Sequence, residues 1–155
     1  KMKDVTATRY YDWVITTPMM LLATIVYFKY LEKTEYFTFF EFVESHKENI
    51  MKIFALNWAM LLFGYLGETK KMNLFVSVCI GFVFFGLLFN ELYQKYTTTP
   101  EAFNLFTFLI IVWSLYGVAA VMSTNLKNLM YNILDIVSKN FYGLFIFYKV
   151  LQVAK

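Results

Sequence analysis

Four charged side chains stand where an apolar sequence should not tolerate them. Arg9 and Asp12 lie three residues apart in RYYDWVITTP (residues 9–18), and Thr16 follows Asp12 by four. Asp135 and Lys139 lie four apart in NILDIVSK (residues 132–139). Spacings of three and four put side chains on one face of a helix. Each segment would therefore carry a stripe of opposite charges. A charge at the centre of a bilayer costs about 3 kcal/mol on insertion scales, so such groups are usually paired and usually functional. A buried lysine amine sheds its proton readily and is a recurrent Schiff-base former. Carboxylates beside it would favour its charged form and could exchange a proton with it. The competing reading is a structural ion-pair network that joins helices. In either case the two stripes pair most economically if the first and last segments are neighbours.

The elements that must position these groups are membrane helices. Of the 155 residues, 59% are hydrophobic, and mean hydropathy is +0.53. Charged residues make up 16%, well below the quarter or so typical of soluble domains. The apolar residues fall into blocks long enough to cross about 30 Å of hydrocarbon as helices. Five spans are expected, at about 8–31, 50–67, 72–92, 103–122 and 126–151, within a single transmembrane domain over 1–155. Connections with turn and breaker residues separate them: GETKK at 67–71, YTTTPEA at 96–102 and STNLKN at 123–128. The longest connection, residues 32–49, mixes acids with aromatics and reads as an interfacial segment, with a short hairpin at TFFEF as the weaker alternative. Pro18 falls inside the first span, which membrane helices tolerate when a neighbour satisfies the freed carbonyl. Lys29, Glu91 and Lys149 lie near span ends, where long side chains reach the interface. Lys139 is too central for that.

Other classes are disfavoured. A net charge of +3 without a basic stripe does not suit nucleic acid. Cys79 is the lone cysteine and reads as packing; His46 has no second ligand at metal spacing, so no metal site is expected. No enzyme chemistry is indicated. The chain does not begin with methionine, and its first apolar block is too long and too charged for a signal peptide; it reads as part of a longer protein. Lysines are spread over alternate connections, so orientation does not follow from them.

The motifs resemble those of the type 1 (microbial) rhodopsins. RYYDWVITTP is similar to the third helix of that family, and NILDIVSK to the seventh. VWSLY (112–116) resembles the sixth-helix Trp-x-x-Tyr, and MLLFG (60–64) the fourth-helix Met-x-x-x-Gly. The resemblance implies an all-α bundle of seven helices, of which this chain supplies the third to the seventh. It implies all-trans-retinal bound covalently to Lys139 as a protonated Schiff base, with Asp12 and Asp135 as counterions. Asp12 would accept the proton, Arg9 would couple the site to the extracellular exit, and Thr16 would bond near Asp12. Trp13, Thr17, Asn57, Met60, Gly64, Trp113 and Tyr116 would contact the cofactor. Aromatic residues in membrane spans are more often belt or packing residues; motif context outweighs that for Trp113 and Tyr116, whereas Phe82, Phe84 and Phe85 stay unassigned.

Several positions depart from the family pattern. Ala23 stands where efficient pumps carry an acidic proton donor, Gly117 replaces a proline, Ala120 replaces a pocket tryptophan, and STNLKN lacks paired release glutamates. A wider or softer sixth-helix wall is expected. The resemblance leaves three activities open: an outward proton pump, a light-gated cation channel, or a sensor signalling through a partner. Its expected partners are the bilayer, protons or monovalent cations, and further copies in a trimer or pentamer.

Overall fold

The computed structural model describes residues 2–32 and 37–153; part of the 32–49 connection lies outside them. The order is α1 (Met2–Leu31), α2 (Phe39–Ser45), α3 (Lys47–Glu68), α4 (Leu74–Tyr96), α5 (Pro100–Ala120), α6 (Thr124–Asp135), a π-helical turn (Ile136–Phe141) and α7 (Tyr142–Val153). Side-chain caps fix several starts. Thr99 accepts from the Ala102 amide at 3.1 Å, with Pro100 in the first turn, and Asn73 accepts from Val76 at 3.2 Å. Each cap satisfies an amide that has no intrahelical partner.

TFFEF is not a hairpin. It belongs to α2, which opens with a capping box in which Thr38 and Glu41 bond each other's backbone. The Thr38 amide, followed by its hydroxyl, holds the Glu41 carboxyl below the usual carboxylate range. Phe39 and Phe40 are exposed on this helix and Phe42 is buried. At the end of α1, burial pushes the Glu32 carboxyl up, but hydrogen bonds from Lys29 (2.6 Å) and Thr98 (2.9 Å) prevail and hold it below its ordinary range.

Four helices are long and apolar enough to cross a membrane: Val5–Leu31 within α1, then α3, α4 and α5. The expected fifth span is an unbroken helical run from Thr124 to Val153, but it is not uniform. Its first half carries Asn125, Lys127, Asn128, Asn132 and Asp135, and it widens into a π turn around Lys139. Such turns are rare and gather at functional sites.

α1 is central and touches α3, α4, α5 and α7. Its Leu21, Ile25 and Phe28 pack with Ile53 of α3, Leu88 and Phe89 of α4, and Leu109 and Trp113 of α5. Many large apolar side chains face outward instead, among them Ile15, Met19, Phe75, Val83, Ile111 and Phe147. That outward face suits hydrocarbon. Charges near span ends are paired: Glu91 meets Lys52 of α3 at 2.5 Å and Lys95, one turn on in its own helix, at 3.1 Å.

The proline in α1 illustrates how lipid constrains the backbone. Pro18 has no amide hydrogen, so the Val14 carbonyl four residues earlier loses its helical donor. Trp58 of α3 donates its indole N–H to that oxygen at 3.0 Å. Replacing Trp58 with phenylalanine keeps the ring's bulk and removes the donor. The expected loss is about 1–3 kcal/mol, the cost of an acceptor left unpaired away from water on the lipid-facing surface, seen as a lower denaturant midpoint in mixed micelles. An unchanged midpoint would mean that the carbonyl finds another donor.

Candidate functional site

The first and last segments are neighbours, and their charges cross-pair. The Lys139 ammonium donates directly to the Asp12 carboxylate. Arg9 lies 3.7 Å from Asp135 and donates to Asn132 at 3.3 Å. Thr16 stays on its own helix and donates to the backbone oxygen of Asp12 at 2.9 Å.

The two acids sit in unlike surroundings. Asp135 Oδ1 accepts from the Trp13 indole at 3.2 Å and from the Tyr116 hydroxyl at 2.6 Å, while Oδ2 faces Arg9. Tyr116 has one proton to give and gives it to Asp135, so Ser138 donates in turn to the Tyr116 oxygen, 2.9 Å away. Both oxygens of Asp135 are thereby occupied, one by two donors and the other by the facing guanidinium. Asp12 meets Lys139 from a more open position, its side chain 51% exposed against 24% for Asp135.

Beside Lys139 lies a cavity of about 110 Å³, walled by every long helical segment. Trp13 and Thr17 come from α1, Met60 and Gly64 from α3, and Trp113 and Tyr116 from α5. Asn57 does not line it. It is fully buried behind Thr17, donating to the threonine hydroxyl at 2.8 Å, and thereby ties α3 to α1. Gly64 has a steric reason to be glycine: a β-carbon there would stand 2.8 Å from the Tyr10 hydroxyl.

Sequence reasoning missed other parts of the wall. Tyr10, Met20, Gly81, Phe82, Phe85, Tyr131 and Ser138 all line the cavity. Phe82 explains the departure at Gly117 on α5. Its ring occupies the space that any β-carbon on Gly117 would need. The wall expected to be wider is thus refilled from α4. The pairing of an unusual glycine with a phenylalanine one span away was the available signal, but nothing local set the register between the two helices.

On the far side of Lys139 from Arg9, a larger cavity of about 570 Å³ is lined by Tyr27, Glu101, Asn104, Tyr142 and Lys149, among others. Tyr142 of this lining shares a buried hydrogen bond with Thr24 of α1.

A family model described as "Bacteriorhodopsin-like protein" matches residues 1–153. The chain belongs to the bacteriorhodopsin-like family. It is also similar to a solved structure, the crystal structure of viral rhodopsin OLPVRII, with a TM-score of 0.86 and 31% identity over 99% of this chain and 70% of that one. No curated protein matches the sequence. This rhodopsin-family chain is an integral, multi-pass membrane protein of a retinal-binding, light-responsive, ion-handling kind. Family membership implies retinal on a lysine, and the residues present fit such a group. An apolar, aromatic-walled cavity has one lysine among its described lining residues, Asp12 pairs with that amine to balance its positive charge, and Asp135, one turn earlier on the same helix, faces Arg9.

Proposed function

We propose that this chain is the core of a light-driven outward proton pump, with Lys139 as the retinal-bearing amine and Asp12 as the first proton acceptor. The reading is carried by one observation: Lys139 Nζ donates to Asp12 at the edge of an apolar cavity. Bound through Lys139, all-trans-retinal would supply absorption of visible light and a light-driven change of shape.

The chain's own residues account for the rest. Asp12 and Asp135 together stabilise positive charge at Nζ. A change in position of Nζ relative to these acids alters their proton affinities, and the titration belongs to the coupled cluster. Asp135, fixed by Trp13, Tyr116 and Arg9, is suited to remain an anion; Asp12, with fewer rigid donors around it, is suited to take the proton. Trp13, Trp113 and Tyr116 shape a slot that favours one ligand geometry and excludes water. Met60, Gly64 and Thr17 complete the wall, and Asn57 holds Thr17 in place. Arg9, which faces Asp135, lies toward the exit in this reading and balances the negative charge of the acids there.

A light-gated cation channel is the second reading. It is favoured by Ala23 at the donor position and by the broad cavity around Glu101 and Lys149. Photocurrents recorded against voltage in the full-length protein separate the two. A pump is expected to keep one current sign at every voltage, outward under this proposal. A current that reverses with the cation gradient would replace the pump with a channel.

A further inference from the structure

The connection STNLKN has no acid to pass protons to water, yet an acid arrives at the same end of the bundle from another helix. Glu68, the last residue of α3, accepts a hydrogen bond from the Tyr131 hydroxyl at 2.5 Å. The Tyr10 hydroxyl approaches the same carboxylate. Both tyrosines are buried, while Glu68 itself is partly exposed. The Arg9 guanidinium lies 5.0 Å from the centre of the Tyr131 ring and also faces Asp135. Tyr131 packs on Trp13 and on Tyr116. One face of Glu68 thus touches a buried aromatic and cationic cluster next to the counterions, and the other meets the surface. The charged and titratable groups facing it are Arg9 and Tyr10 from α1 and Lys127 and Tyr131 from α6.

We propose that Glu68 is the outermost proton carrier of this chain, a role that rests on the pump reading above. A proton leaves the carboxyl group of Asp12, restoring its anion, and Glu68 gains one at Oε. The O–H bond of Glu68 then breaks to water and returns the carboxylate, so both acids end as they began. Arg9 and Lys127 balance the charge of the ionised form. A purely structural anchor would use the same two tyrosine contacts, so the test must keep those contacts and remove only the titration.

Glu68→Gln does this, because the amide oxygen still accepts from the Tyr131 hydroxyl and still faces that of Tyr10. In retinal-loaded protein, a pH-sensitive dye in the outer medium should report proton release delayed by about 100-fold in E68Q. Loss of the proton from Lys139 Nζ should keep its rate. Before retinal is added, infrared titration should show a carboxyl band that E68Q abolishes and Tyr131→Phe shifts. Tyr131→Phe also serves if E68Q does not fold, and should alter the release time as well. Release with unchanged timing in E68Q, or in Y131F where E68Q does not fold, overturns the assignment and leaves the pump intact. If the unaltered protein releases no proton outward, the pump reading fails, and the role of Glu68 with it.

Discussion

Alanine at Lys139 is expected to leave the purified protein colourless in all-trans-retinal, while the unaltered chain gains a visible band. Attachment needs an amine that can reach the cavity, and among the described lining residues Lys139 is the one that supplies it. The other lysines of the spans, such as Lys29, Lys52 and Lys95, are engaged with acids or amides near the span ends. They do not line the cavity, so none stands ready to substitute. The competing account, in which Lys139 and Asp12 merely join helices, predicts a different pattern. Neither protein would colour, and K139A would lose stability because a mid-membrane carboxylate, costing about 3 kcal/mol by itself, would be left without its cation. Pairing Lys139→Ala with Asp12→Asn removes that complication. The double variant should retain its helical circular dichroism and still remain colourless. Colour in K139A would overturn the assignment outright.

What could be read from the sequence was whatever depends on a side chain being in the wrong solvent. Arg9, Asp12, Asp135 and Lys139 announced themselves because charge in hydrocarbon demands a partner. Spacings of three and four then told which face each helix must turn inward. Their cross-pairing in the structure follows from the same constraint. Pro18 likewise implied a donor from a neighbour, and Trp58 supplies it. Features that depend on inter-helix register were not legible. Phe82 fills the gap beside Gly117 only because α4 and α5 meet at that height. Glu68 reads as the polar end of a span until α6 brings Tyr131 against it. The π turn is a third case, since IVSKNF carries no local signal that separates a wide turn from a regular one. α2 was recoverable in principle, because Thr38 and Glu41 stand at capping-box spacing.

Asparagine at Asp12 is expected to shift the visible band to longer wavelength and to slow proton loss from Lys139 Nζ by about 100-fold or more, the usual cost of removing a positioned proton acceptor. The shape of the site barely changes, since asparagine can still accept from Nζ through its amide oxygen. What changes is charge. With one anion gone, positive charge at Nζ is less well balanced, and the remaining acid, Asp135, already accepts from Trp13 and Tyr116 and faces Arg9. Those contacts already occupy both of its oxygens, so it is poorly placed to substitute as the acceptor. The unlike surroundings of the two acids make the companion variant informative. Asp135→Asn keeps an oxygen for Trp13 and Tyr116 but leaves Arg9 without its anion, so it should disturb the Arg9 side of the site while the Nζ proton still reaches Asp12. Flash spectroscopy of the two variants side by side reads the difference as a rate. Should D135N arrest proton loss and D12N leave it untouched, the roles of the two carboxylates are exchanged, and the open position of Asp12 next to Nζ would mark a charge-balancing group instead of an acceptor.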